Sequence, residues 1–246
     1  MFIWRRRPNV DLKDEDHNNA SDGDILIAWA LFKAQSQWQQ AEYRAAAAAI
    51  LDDIKHKLLI SRQGLTLLLP GEQGFVKEDG LTVNLSYWIY PALQTFASED
   101  PDPIWRQLSD SGLTLLQQAR FGRWQLPPDW LRLTAANALE PANDKRFGYD
   151  AVRIPLYLAL ASMEPQTLTA FAQAWRFYQG YTPAWIALNE NIIDGYGASV
   201  GIDAVKRLAL SYHQQSKDLV LPALSNDQDY YSSTLLLLSK LSARTR

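Results

Sequence analysis

Two kinds of apolar segment alternate along this chain, and the alternation limits what it can fold into. Residues 21–34 are apolar nearly all round: Ile25, Leu26, Ile27, Ala28, Trp29, Ala30, Leu31, Phe32. That pattern predicts a helix buried on every side. Residues 41–59 differ, because Tyr43, Ile50, Leu51, Ile54 and Leu58 recur at three- and four-residue steps between Glu42, Asp52, Asp53 and Lys57. That spacing predicts a one-sided, amphipathic helix. The change repeats downstream. "YDAVRIPLYLALA" (149–161) is again apolar nearly all round, whereas 165–178 opens on Pro165 and carries Leu168, Phe171, Trp175 and Tyr178 on one stripe. Pro165 suits the first position of a helix.

Further helices are expected over about 87–97, 103–119, 202–213 and 230–243. Strand signals are confined to short pieces such as "LTLLL" (65–69), and Gly and Pro gather in loops at 70–80, 122–128 and 180–201. Fully buried helices alternating with one-sided ones imply inner helices wrapped by outer ones. The expected class is therefore all-α, with an (α/α) toroid favoured over a simple bundle. No repeat, low-complexity tract or linker divides the chain, so residues 1–246 are read as one domain.

Composition excludes several functions. A net charge of −3 leaves no basic footprint for nucleic acid. The absence of cysteine removes disulfide scaffolds and thiolate metal sites. No apolar run reaches membrane-span length, and "MFIWRRRPNV" places its apolar piece before the arginines, the reverse of a secretory signal. His17, His56 and His213 show no metal-ligand spacing, "GYGASVG" (195–201) lacks the strand-to-helix context of a nucleotide loop, and no G-x-S-x-G occurs. No cofactor is implied. Nine Trp and eleven Tyr exceed what packing needs and suit a groove for flat ligands such as sugar rings.

The carboxylates heading the all-round apolar segments carry the chemistry. Asp22 and Asp24 precede the first. One reading is structural: Ser21 and Asp24 fit a capping box, and Asp22 gains from the helix dipole. Asp150 heads the second such segment, with Arg153 three residues on to pair with it. In a toroid the parallel inner helices start at one rim, so Asp22 and Asp150 would converge there. Convergent carboxylates in an aromatic groove suit glycosidic bond cleavage.

The stretch "ASDGDILIAWALFKAQSQW" (20–38) resembles the signature of glycoside hydrolase family 8. Other blocks follow in that family's order: "LLLPGEQGF" (67–75), "NLSYW" (84–88), "PPDWLR" (127–132), "YDAVR" (149–153) and "DYYSSTLLLLSKL" (229–241). Within the family the resemblance points toward endoglucanases of bacterial cellulose-synthesis operons. It implies an (α/α)6 toroid that hydrolyses internal β-1,4-glucan bonds with inversion, a periplasmic or secreted location, and cellulose or cello-oligosaccharides as substrate. The cellulose synthase machinery is a further expected partner.

By the same resemblance, Asp22 matches the signature acid that grips the distorted sugar and Asp150 the general base. Tyr87 matches the tyrosine holding the attacking water, although Leu85 replaces a proline usual in that motif. Arg153 matches the partner of the base, and Asp24, Trp88 and Trp130 are expected to contact substrate. The plain alternatives for Tyr87 and Arg153 are a packed phenol and an ordinary ion pair.

Inverting hydrolysis also needs a protonated carboxyl to serve the leaving oxygen. In the family this is a Glu in a Ser-Glu-Gly-x-x-Tyr-Gly-Met type motif several dozen residues before the signature, and no such motif occurs here. Asp14, Glu15 and Asp16 lie in a polar loop where solvent would keep them ionised. The expectation is a toroid lacking its first helices and the donor, poorly soluble and nearly inactive on cellulose derivatives. A non-catalytic glucan-binding remnant and an all-α structural scaffold are the alternatives.

Overall fold

Helical periodicity is realised almost wherever the sequence shows it. The computed structural model describes residues 1–244. Among these it contains eight α-helices: α1 (Ser21–Trp38), α2 (Ala41–Lys57), α3 (Tyr90–Glu99), α4 (Ile104–Gln118), α5 (Arg153–Leu160), α6 (Thr169–Phe177), α7 (Val200–His213) and α8 (Tyr230–Arg244). Eight short strands lie between them: β1 (Leu59–Arg62), β2 (Leu65–Leu68), β3 (Val76–Lys77), β4 (Gly80–Val83), β5 (Leu131–Thr134), β6 (Leu139–Pro141), β7 (Arg146–Phe147) and β8 (Ile186–Ala187). Two compact units emerge, one of residues 1–114 with 132–138, the other of 115–131 with 139 onward.

In the first unit α1 packs against α2 and α3. The amphipathic reading of α2 holds, since its buried residues are Ala47, Ile50, Leu51 and Ile54. The reading of α1 needs correction. Only Ser21, Asp24, Ile25, Ala28 and Phe32 are buried, while Ile27, Trp29 and Leu31 are half-exposed and Ala30 is exposed. Its contacts with α2 and α3 cover one stripe, not the whole circumference. Phe32 meets Phe96 at 6.0 Å between ring centroids, and Phe96 meets Trp105 edge-on at 5.2 Å. The expected "LTLLL" strand is β2, paired antiparallel with β1 in the register Leu59↔Leu68 to Arg62↔Leu65.

The second unit is organised around α5. Six consecutive residues, Ile154 to Ala159, are buried, as an all-round apolar helix requires. It packs against α7 and α8. Pro155 is tolerated because the N–H groups of a first helical turn have no intrahelical partner. Phe147 lies 5.8 Å from Phe171 and 5.9 Å from Trp175, joining β7 to the buried stripe of α6. The Ser199 hydroxyl caps α7 by accepting from the Ile202 N–H at 3.4 Å.

Helices α7 and α8 approach closely at Gly201. Its N–H donates to Ser232 Oγ at 2.8 Å, and a Cβ there would stand 2.3 Å from the Ser232 carbonyl oxygen. Both helices would have to part to admit one methyl group. Gly201→Ala is accordingly expected to cost about 2 kcal/mol, in the range typical of overpacking. A urea midpoint equal to the wild type's, followed by circular dichroism, would show that the approach is looser than described.

Candidate active site

Asp22, Asp24, Tyr87 and Trp88, singled out from the sequence, lie in the first unit, and their environments differ sharply. Asp22 is half-exposed in the first turn of α1, with Oδ1 accepting its neighbour Gly23 N–H at 2.9 Å. The capping box does not form. Ala20 is the N-cap residue and no side chain caps the helix. Ser21 is instead the first helical residue, and its N–H donates to the Pro70 carbonyl at 2.8 Å.

Asp24 points into the unit and is 1% exposed. Its Oδ1 accepts the Phe2 N–H at 2.9 Å and its Oδ2 the Asn19 amide at 2.6 Å. Burial pushes its carboxyl above the usual range, partly offset by those two donors. A substrate-binding role does not fit this position, since both oxygens serve to tie the start of the chain and residue 19 to α1.

Tyr87 closes a 3₁₀ turn over Leu85–Tyr87 that Asn84 caps by accepting the Ser86 N–H at 3.1 Å. The turn forms with Leu85 in place of the usual proline, and Tyr87 is half-exposed. Trp88, the next residue, is 1% exposed and donates its indole N–H to the Leu108 carbonyl at 2.9 Å. That makes Trp88 a core residue with no face for a sugar, again contrary to the substrate-binding expectation.

In the acidic stretch 14–16, Asp14 and Asp16 are exposed as expected, but Glu15 is not. Glu15 is buried, not solvated, with its side chain 1% exposed. The Arg7 N–H donates to it at 2.8 Å, and the Arg7 and Arg6 guanidinium groups approach at 3.1 and 3.2 Å. The Arg7 N–H foremost, then the guanidinium charges, hold its carboxyl below the ordinary value. Glu15 is thus kept ionised by pairing, the wrong state for a proton donor.

In the second unit Asp150 and Arg153 come together. Arg153 Nη2 donates to Asp150 Oδ1 at 2.6 Å, with side chains 14% and 28% exposed respectively. Helix α5 begins at Arg153, so Asp150 sits on the turn before it and not in its first turn. A residue the sequence reading passed over holds that turn. Asp129, 7% exposed, takes on its single Oδ1 the N–H groups of Gly148 (2.9 Å), Asp150 (3.1 Å) and Ala151 (2.8 Å). Those bonds hold 148–151 as a turn. Its Oδ2 faces Arg146 Nε at 3.4 Å. Burial raises its carboxyl to about 6, with the neighbouring Asp150 adding to the rise and the backbone donors opposing it. Trp130, beside it in sequence, is half-exposed.

Beside Asp150, an aromatic group opens to solvent. Tyr149 and Tyr196, 37% and 68% exposed, hydrogen-bond through their hydroxyls at 3.0 Å, and Trp185 Nε1 donates to the Tyr196 hydroxyl at 3.2 Å. Burial and the Tyr196 contact push the Tyr149 phenol up to about 12. The loop beneath is organised by Asp194, which accepts from the Tyr181 hydroxyl (2.8 Å) and from the N–H groups of Ala184 (2.6 Å), Tyr196 (3.1 Å) and Gly197. Behind Tyr149, the Tyr231 hydroxyl donates to its carbonyl. Asp129 was signalled only by an acid standing in the apolar run "LPPDWL"; Asp194 and the Tyr196–Trp185 pair left no periodic mark. Among the described residues no cluster of three His, Asp or Glu side chains could hold a metal ion, and no helix is long and apolar enough to cross a membrane.

Comparison with known proteins identifies the class. The sequence model for glycosyl hydrolases family 8 matches residues 1–245, and the chain belongs to that family. It is 37% identical to a probable endoglucanase of Novacetimonas hansenii over 97% of this chain and 70% of that protein. It is 38% identical to an endoglucanase of Cellulomonas uda over 85% of this chain and 59% of the relative. The chain thus spans less than two thirds of the second relative's length. Among solved structures, a family 8 endoglucanase from Klebsiella pneumoniae superposes with a TM-score of 0.91 at 37% identity, covering 100% of this chain and 79% of that one. An endo-β-1,4-glucanase from Acetobacter xylinum gives 0.87 at 36% identity over 96% and 74%. The all-α expectation holds, and the fold is that of family 8, whose structures are (α/α)6 toroids.

The raised carboxyl of Asp129 has a pH consequence with a definite sign. Folding favours its protonated form. The stability this group contributes is full below the unfolded-state value near 4 and is lost as pH rises through about 6. Roughly two pKa units correspond to on the order of 3 kcal/mol. Urea midpoints of the wild type are expected to fall more steeply between pH 4.5 and 7.5 than those of Asp129→Asn, which stays neutral. Parallel profiles would refute the assignment.

Proposed function

We propose that this chain carries the base-catalysed half of an inverting endo-β-1,4-glucanase. The observation that supports it most is the Asp150–Arg153 pair at 2.6 Å on a turn fixed by a buried carboxylate, in a chain of family 8. Asp150 is assigned the general base that takes a proton from water as the water attacks the anomeric carbon. Arg153 orients that carboxylate and keeps a compensating charge beside it. Asp22, half-exposed at the start of α1, is assigned to hold the hydroxyls of the reacting sugar, and Tyr87 to hold the attacking water; both follow from their match to family motifs. Trp130, Tyr149, Tyr196 and Trp185 offer ring faces and hydroxyls suited to glucose units. The substrate is an internal β-1,4-linkage of cellulose or a cello-oligosaccharide. The relatives named as endoglucanases support that class, and a periplasmic or secreted setting linked to cellulose synthesis goes with it.

The donor carboxyl is proposed not to be among these residues. Glu15 and Asp16, nearest in sequence to Asp22 on its N-terminal side, are both held below their ordinary values: Glu15 by Arg7, and Asp16 chiefly by the Trp4 indole N–H at 2.8 Å. Glucan turnover is then reduced by the general-acid contribution, roughly 10²–10⁴-fold, while a leaving group that needs no proton escapes the penalty. A second reading, glucan binding without turnover, is favoured by the exposed Tyr149–Tyr196–Trp185 group, which needs no donor to act.

The test uses two substrates. β-Cellobiosyl fluoride is expected to be cleaved at a rate that Asp150→Ala abolishes, with carboxymethylcellulose turned over barely or not at all. Brisk carboxymethylcellulose hydrolysis lost in Asp150→Ala would show that a donor is present after all. Binding of cello-oligosaccharides with no cleavage of either substrate would establish the second reading.

A further inference from the structure

Asp129 has no part in bond cleavage as described, yet it is the most heavily engaged carboxylate next to Asp150. We infer that Asp129 is a positioning residue that sets where the Asp150 carboxylate points, by gathering the N–H groups of Gly148, Asp150 and Ala151 on one oxygen. The inference rests on the reading of Asp150 as the general base.

Four observations within the second unit converge on it. First, three backbone N–H groups of one turn reach a single Oδ1 at 2.8–3.1 Å. A carboxyl oxygen accepts more than one donor at once, so a single side chain can hold the whole turn. Second, the clamp is reciprocal: the Asp129 N–H donates to the Arg146 carbonyl at 2.7 Å, so the 129 and 146–151 segments hold each other. Third, Pro127 and Pro128 immediately precede Asp129 and limit the backbone freedom of its own support. Fourth, the carboxylate stands directly against Gly148, where an added Cβ would come within 2.8 Å of Asp129 Oδ2.

The division of labour follows. Arg153 holds the far end of the Asp150 side chain at 2.6 Å, and Asp129 holds the backbone from which that side chain leaves. With either hold missing, the carboxylate gains a rotational freedom. A reacting group displaced by about 1 Å can lose on the order of 10²-fold in rate. Substrate contacts made by rings elsewhere would persist, so the loss belongs in kcat and not in KM.

The test compares wild type, Asp129→Ala, Asp129→Asn and Gly148→Ala, with β-cellobiosyl fluoride as substrate and amide hydrogen exchange read by NMR. Asp129→Ala is expected to lower kcat about 10²-fold with KM within about threefold, and to speed exchange at Gly148, Asp150 and Ala151 while α7 and α8 stay protected. Asp129→Asn, which keeps an acceptor oxygen, is expected to restore both. Gly148→Ala, which displaces the carboxylate without removing it, is expected to reproduce the kcat loss and stands in if Asp129→Ala does not fold.

Wild-type kcat in Gly148→Ala or in folded Asp129→Ala overturns the inference. So does a loss confined to KM, or an Asp129→Asn as impaired as Asp129→Ala. If the wild type itself leaves the fluoride intact, the base reading of Asp150 fails on that result alone. The exchange data still decide the clamp, which is overturned if the three amides remain protected in Asp129→Ala, or in Gly148→Ala should Asp129→Ala not fold.

Discussion

A single oxygen of Asp129 receiving three backbone N–H groups is the interaction that fixes the turn carrying Asp150 in the second unit. It holds residues 148–151 as a turn ahead of α5, whose Pro155 has no N–H for the Ala151 carbonyl and so keeps the helix from reaching back through Asp150. The helix begins at Arg153, and the arginine of its first turn meets the carboxylate on the preceding turn. Burying a carboxylate is costly unless donors surround it, and here the backbone supplies them. The same device recurs at Asp24, which takes the Phe2 N–H and the Asn19 amide, and at Asp194. In each case a buried acid organises a segment with little regular structure of its own. The helices provide the frame, and these acids shape what lies between them.

This explains what was legible in the sequence. Periodicity revealed α2, α6, α7 and α8 to within a few residues, because one covered stripe leaves a 3.6-residue mark. The all-round burial of α5 was also readable, since six buried residues in a row cannot be polar. For α1 the same rule misled: its apolar residues face partly outward, and composition does not say what covers a helix. The capping box of Ser21 and Asp24 failed for a related reason. The spacing was right, but Asp24 found other donors, the Asn19 amide five residues back and the Phe2 N–H 22 residues back. The pairing of Asp150 with Arg153 was legible because it is local. Asp129 was not, because its partners lie 19 to 22 residues away and their contribution is backbone N–H groups, which no residue type announces.

The aromatic content divides in the same way. Trp88 and Trp105 are core residues, whereas Tyr149, Tyr196 and Trp185 share a hydrogen-bonded, solvent-facing group. An excess of Trp and Tyr gave no indication of which would be buried and which would reach the surface. Trp88 lies next to Tyr87 in a family block, and adjacency in sequence suggested adjacency in role. The tight turn over Leu85–Tyr87 sends neighbouring rings to different surroundings, so only one of the two remains at the surface.

Asp194 ties five groups of one loop to one charge, counting the Trp185 N–H at 3.4 Å. Burial works against its ionisation, but the Tyr181 hydroxyl and the N–H donors outweigh it and hold the carboxyl below the ordinary range. The order it imposes is present at neutral pH and is surrendered as acidity rises through that lowered value. Its two oxygens divide the tethers, Oδ1 taking Tyr181, Tyr196 and Gly197 and Oδ2 taking Ala184 and Trp185. With that charge neutralised, the Tyr196 backbone loses a tether next to the ring that meets Tyr149 and Trp185, so acid loosens the aromatic group from its own loop.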